Sequence, residues 1–250
     1  MRFQLAVLSW FTIWAVSAPA QNAGDAPPPG AAAPAEAAVQ PAKRPLLKYA
    51  APKSAGSMGL RVDGDGGSRG AGGMNAAIYL LAPEGEALTT QKQPALFYFQ
   101  RGGEKAAQSN LTFTVVDPSQ AAPLLKAKAE NPEPGFRRVQ LSRHAVELTP
   151  GVRYEWRVSL GGEGEGRSSD VFASGVIRYV EPSPELIKAL EAAPGKRAEI
   201  YAEHGIWYDA LEEVSNLILA EPQNTEWERA RASLLEQIGL GRILEKGKGP

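Results

Sequence analysis

Gly66-Gly67-Ser68-Arg69-Gly70 has the G-x-S-x-G spacing that holds a serine hydroxyl on a sharp turn for nucleophilic attack, and His144 and His204 are the two imidazoles available as its base. Such an elbow needs a buried apolar strand before it and a helix after it. Here Asp63-Gly64-Asp65 precedes and Ala71-Gly72-Gly73 follows, so the segment reads as a glycine-rich loop, with a serine hydrolase as the least favoured alternative. Asp63 and Asp65 open like a calcium loop, but Met74 stands where the bidentate glutamate would have to be. The lysine of a phosphate-binding loop is missing as well. With no cysteine and two histidines, the chain has too few soft or imidazole ligands for zinc, copper or iron. No catalytic residue, metal or cofactor is assigned.

The remaining polar and aromatic candidates have structural readings beside their functional ones. His204 falls in the last helical turn before Gly205, a place for a cation or a capping donor, and His144 falls in a turn after Ser142-Arg143. Glu203, Asp209, Glu212 and Glu213 are spaced for an exposed helix surface. Phe97-Tyr98-Phe99 puts aromatic rings on both faces of a strand, one face for the core and the other for a sugar, a partner or neighbouring helices. Trp207-Tyr208-Asp209 places two aromatics together at a helix start, more than one apolar stripe requires, and is the expected partner-binding turn; burial against the rest of the fold is the competing reading.

The elements that must position these residues follow from changes in texture. Arg2, an apolar run from Phe3 to Val16 and Ala18-Pro19-Ala20 read as a cleaved export signal over 1–20, because the run is shorter than the ~20 residues that span a bilayer. An alanine- and proline-rich stretch over 21–55 reads as a disordered tether with too little branched apolar surface to fold. A glycine-rich loop and β-domain are expected over 56–181, a helical segment over 182–243 and a disordered tail over 244–250. Without disulfides the folded part must stand on its own apolar core. The net charge of −1 supplies no basic excess, which excludes nucleic acid as an expected partner.

Six short apolar runs, Ala77–Ala82, Ala95–Phe99, Leu111–Val116, Phe136–Leu141, Val152–Leu160 and Val171–Val180, have the spacing of an all-β domain. In the fifth, Val152, Tyr154, Trp156, Val158 and Leu160 alternate with Arg153, Glu155, Arg157 and Ser159, which predicts a half-buried strand. Tyr154 follows Leu148-Thr149-Pro150-Gly151 as a tyrosine corner would, so the expected fold is an immunoglobulin- or fibronectin-like antiparallel β-sandwich. After Glu181 the period becomes helical. Ser183-Pro184-Glu185 starts a first helix with Leu186, Ile187 and Leu190 as its stripe. Helices over 197–204, 208–220 and 225–238 follow, each ended by glycine or proline. Ala198, Tyr201, Gly205, Ala210, Val214 and Pro222 fall at the small, aromatic, turn and proline positions of one tetratricopeptide (TPR) repeat, so the class is α+β with a TPR-like C-terminal segment acting as a cap or a groove.

The chain resembles the bacterial family called Domain of Unknown Function 928. The resemblance is carried by Gly66–Gly70, by Leu81-Ala82-Pro83 through Leu88-Thr89-Thr90 to Pro94-Ala95-Leu96-Phe97-Tyr98, by Leu148–Trp156, and by Ile200-Tyr201-Ala202 with Gly205-Ile206-Trp207-Tyr208-Asp209-Ala210. It implies an exported envelope protein and supplies no activity or ligand. It also implies that relatives carry a cysteine after the glycine–arginine motif and another near the strand of Trp156, where this chain has Ala71 and Ser159. The expected function is a non-catalytic envelope protein that serves as an interaction or structural module, with an envelope protein as partner. The alternative is a cell-wall glycan (peptidoglycan) binder using Phe97, Tyr98 and Trp207.

Overall fold

The computed structural model describes residues 47–52, 77–101, 110–128, 134–161 and 171–241. The expected export signal over 1–20, the expected tether up to residue 46, the glycine-rich motif with Ser68 and the expected tail over 244–250 lie outside the described residues. The described residues all belong to one compact unit spanning Lys43–Pro250.

The six apolar runs become β1 (Ala77–Leu80), β3 (Ala95–Arg101), β4 (Asn110–Val116), β6 (Gly135–Gln140), β7 (Arg153–Gly161) and β8 (Val171–Tyr179). Two further four-residue strands, β2 (Glu86–Thr89) and β5 (Leu125–Lys128), complete the sheets. Among the described residues one sheet has three strands in the order β1-β3-β6, and the other has five in the order β2-β8-β7-β4-β5. All pairings are antiparallel except β2 with β8, which run parallel. The chain changes sheets between β1 and β2, so residues 81–85 bridge the two layers.

The period-two pattern of β7 is realised as expected: Tyr154, Trp156, Val158 and Leu160 are buried, while Arg153 and Arg157 are exposed. With Leu111, Phe113 and Val115 of β4 and Ala173 and Ile177 of β8 they form the inner face of the five-stranded sheet. β1 packs across this face, and Gly175 leaves room for it, since a Cβ there would meet Leu80 Cδ1 at 3.2 Å and Trp156 Nε1 at 3.4 Å. At the base of β7 the Thr149 N–H donates to the Tyr154 hydroxyl at 3.0 Å, tying the turn to the strand.

Four α-helices follow: α1 (Pro184–Ala192), α2 (Arg197–Glu203), α3 (Trp207–Ala220) and α4 (Thr225–Gln237). Ser183 caps α1, its hydroxyl accepting from Leu186 N–H at 3.2 Å, and Asn224 caps α4 through Glu226 N–H at 3.2 Å. On α1 the expected stripe narrows: Leu186 is buried and Ile187 is exposed. α3 packs against α2, α4, β2 and β3. β3 is therefore covered on both sides, by the other sheet and by helices, which explains why Ala95–Phe99 is a continuous apolar run rather than an alternating one.

Leu47–Pro52, placed by its composition with the tether, is packed instead. Leu47 is buried, its carbonyl accepts from Gln237 Nε2 at 2.8 Å, and Tyr49 N–H donates to Gln237 Oε1 at 2.9 Å. Ala50 N–H donates to the Ala202 carbonyl at 3.0 Å. The strap passes so close to Gly205 that a Cβ there would lie 2.6 Å from Ala50 O, and Gly205 also has φ +74°, so this turn requires glycine twice over. Leu47 and Tyr49 supply the apolar surface that the alanine- and proline-rich residues before them lack.

Candidate interaction surface

The start of α3 enters the fold at the point where the chain changes sheets. Trp207, Tyr208 and Asp209 each have 0 % relative exposure. The Trp207 indole N–H donates to the Leu81 carbonyl at 2.8 Å, and its ring meets Tyr49 edge-on with centroids 4.9 Å apart. The Tyr208 hydroxyl accepts from Trp156 Nε1–H at 2.8 Å inside the sandwich core, and burial raises its pKa. Asp209 accepts from Thr90 N–H at 3.0 Å and the Thr90 hydroxyl at 2.7 Å. Burial pushes the Asp209 carboxyl above its ordinary range, opposed by donors from Thr89, Thr90 and Gln91. The three residues expected at a partner-binding turn are thus an internal joint. Successive helix positions point about 100° apart, so two adjacent aromatics at a helix start are both buried only where the helix is embedded on more than one side, as here.

The acidic residues of the same helix depart from the expected solvated face. Glu212 pairs with Arg138 of β6 and accepts from Gln91 Nε2 at 2.8 Å, while Arg138 also donates to Asn216 Oδ1 at 2.7 Å. Glu213 pairs with Arg197 of α2 at 2.7 Å. Glu203 alone of the four is exposed. Arg231 of α4 lies over Phe136 of β6, a cation on an aromatic ring between helix and three-stranded sheet, while Arg138 lies over Phe97 within that sheet and reaches α3 through Glu212 and Asn216. Phe97 and Tyr98 are buried, which removes them, with Trp207, as a sugar-stacking surface. His204 donates through Nδ1 to the Ile200 carbonyl at 2.8 Å, the capping role expected of it, and His144 is exposed in the short turn Leu141–His144.

Among the described residues α3 packs against β2 at one edge of the five-stranded sheet, and no helix packs extensively against β4, β5, β7 or β8, whose outward residues are half-buried or exposed. The sheet's register arranges the outward residues in rows across the strands. One row runs Lys128, Thr112, Ser159, Phe172, and the next runs Lys126, Thr114, Arg157, Ser174. A third runs Val116, Glu155, Val176, Glu86. Beyond it Arg153 and Arg178 bracket Glu86, with ion pairs of 2.9 and 2.7 Å. Arg157 lies over the Phe172 ring, 5.1 Å from its centroid, and also pairs with Glu155 at 3.0 Å. The face thus carries five basic side chains and two acidic ones, and Glu86 is consumed by two of the arginines. Among the described residues no group of three or more metal-ligating side chains occurs, and no helix is long and apolar enough to cross a membrane.

A family model spans 64–247, which takes in both sheets, the joint and all four helices. The chain belongs to the Domain of Unknown Function 928 family. Its matched region begins in the glycine-rich stretch and leaves out residues 1–63. No curated protein matches the chain. In this Domain of Unknown Function 928 member the motif segments Leu81–Thr90 and Gly205–Ala210 meet at the joint, so the residues that carry the family pattern there are residues of packing. Ser159, where the resemblance implies a cysteine nearby, lies on the outer face of β7, and Ala71 lies outside the described residues. The signal of this face that the sequence carries is the charged half of β7, Arg153, Glu155 and Arg157.

Proposed function

We propose that the chain is an exported, non-catalytic envelope protein whose folded part presents the outer face of the five-stranded sheet to a partner. The observation that carries this reading is the asymmetry of the two sheets among the described residues: helices bury the three-stranded one, whereas on the larger, charged one helix packing is confined to the β2 edge. The apolar run and Ala18-Pro19-Ala20 over 1–20 support export to the periplasm or beyond, and the Ala/Pro-rich stretch after them supports an extended segment ahead of the folded part.

The sandwich is read as immunoglobulin-like. The orders β1-β3-β6 and β2-β8-β7-β4-β5 correspond to strands A-B-E and A′-G-F-C-C′ of that fold, and the Tyr154 hydrogen bond occupies the tyrosine-corner position on strand F. Trp156 then stands two residues on, where an immunoglobulin domain has its second cysteine. The hairpin of α2 and α3, with Ala198, Tyr201, Ala210 and Val214 buried, supports a TPR-like unit used as a cap rather than as a groove.

A photo-crosslinking residue at Thr114 or Ser174, on the open face, is expected to give a discrete adduct in intact cells, whereas one at Lys188 on α1 gives none. Equal labelling from all three positions, or none from the face, would overturn the reading. Mass spectrometry of the protein from the envelope fraction tests export separately, with Gln21 expected as the first residue.

A further inference from the structure

We propose that the open face binds an anionic polysaccharide, one bearing carboxylates among its sugar hydroxyls; this rests on reading that face as the recognition surface. The argument starts from register. The two rows Lys128-Thr112-Ser159-Phe172 and Lys126-Thr114-Arg157-Ser174 lie side by side on one sheet face. With strands about 4.8 Å apart, each row of four spans roughly 14 Å. Each places a lysine at one end, the middle positions hold three small hydroxyl side chains and Arg157, and the far ends hold Phe172 and Ser174.

The cations and the hydroxyls do different work. Lys126 and Lys128 are exposed and make no ion pair among the described residues. Lysines on a short edge strand are common guards against sheet-to-sheet pairing, which accounts for β5. That role does not account for Arg157, which sits on the central strand β7 with its guanidinium on Phe172. One NH2 of Arg157 meets Glu155 at 3.0 Å, the other N–H groups of its fork remain to reach a carboxylate, and the part-exposed Phe172 ring beneath is a platform for the apolar face of a sugar. Thr112, Thr114, Ser159 and Ser174 are half-buried between these groups and offer hydroxyls to a polyol.

Charge selects the anionic class. The chain as a whole carries −1, so whole-protein attraction does not draw a polyanion to it. The two rows hold three cations and no acid. Glu86 is held by Arg153 and Arg178 one strand-end away and Glu155 pairs with Arg157, so the positive charge with no ion pair among the described residues sits on Lys126 and Lys128 at the edge of the hydroxyl rows. The rows cross four adjacent strands, which suits an extended polymer laid across them.

The test uses the full-length chain with polygalacturonate as probe, dextran as the neutral comparison, and inorganic polyphosphate and anionic phospholipid vesicles as the other polyanions. Polygalacturonate is expected to bind with an affinity that falls as salt is raised. Arg157→Ala and the double variant Lys126→Glu, Lys128→Glu should each weaken it at least tenfold, with circular dichroism unchanged, while Lys188→Glu should leave it unchanged. Equal binding of dextran, tighter binding of polyphosphate or vesicles, or retention of affinity in both face variants would overturn the proposal. If polygalacturonate fails while Thr114 and Ser174 still crosslink a discrete protein in cells, the open face remains a recognition surface and only the polysaccharide assignment falls. If both fail, both fall.

Discussion

Replacing Tyr208 by Phe removes one oxygen from the centre of the molecule. That oxygen accepts from Trp156 Nε1–H at 2.8 Å, and both side chains are fully buried, so the indole N–H of the variant has lost its partner and has no water in reach. The ring stays, so almost no cavity is made, and the cost is the desolvation of an unpaired donor, ~1–3 kcal/mol. For a domain of this size each kcal/mol lowers Tm by about 2–4 °C. Urea unfolding followed by tryptophan emission and by circular dichroism gives the magnitude. In Trp156→Phe, Tyr208→Phe both polar partners are gone, and the double variant should be less destabilised than the sum of the single ones by on the order of 1 kcal/mol. Tyr208→Phe within about 0.5 kcal/mol of wild type, the range of ordinary surface changes, would refute the idea that this bond locks helix to sandwich.

Two further perturbations test the joint and the strap. The Asp209 carboxyl has a folded pKa raised by burial, so the native state holds its proton more readily and its ionisation subtracts stability as pH rises from about 4. The stability of wild type relative to Asp209→Asn should therefore be greatest near pH 3.5 and decline toward neutrality in chemical denaturation; a difference that grows with pH would contradict the assignment. Gly205→Ala places a Cβ 2.6 Å from Ala50 O at a positive φ and is expected to cost more than ~1 kcal/mol, with faster hydrogen exchange at the Ala50 amide that bonds Ala202. An unchanged exchange rate would mean that the strap is not held there.

The sequence makes some of this legible and hides the rest for identifiable reasons. β7 announces itself because its alternation spans nine residues and one face is wholly apolar. β2 and β5 do not, because Glu-Ala-Leu-Thr and Leu-Lys-Ala-Lys are four residues long and owe their extended state to the strands beside them. Helix ends are visible through Ser183, Pro194, Gly205 and Pro222, which act locally. Asp209 and Glu212 look like solvated helix charges because their partners, Thr90 and Arg138, are 119 and 74 residues away in the chain. The same distance effect conceals the open face. Arg157 is plainly outward from β7 alone, but its neighbours Thr114, Lys126 and Ser174 are set by register, which no single strand encodes.

The joint also bears on how the open face works. Trp207, Tyr208 and Asp209 bond to Leu81, Trp156 and Thr90, so the helices grip the switch between the sheets and the core strand β7 together. Glu212 and Arg138 extend the grip to β6, and the strap closes over Trp207 from the other side. A helical segment fixed at so many buried points does not unfold apart from the sandwich without exposing Trp156 and Phe97, and the two should melt in one transition. The helices thus serve the face indirectly. By sealing the sheet switch and the three-stranded layer they hold β7 and β8 in a fixed register, and it is that register that sets Arg157 beside Ser174 and within reach of Phe172.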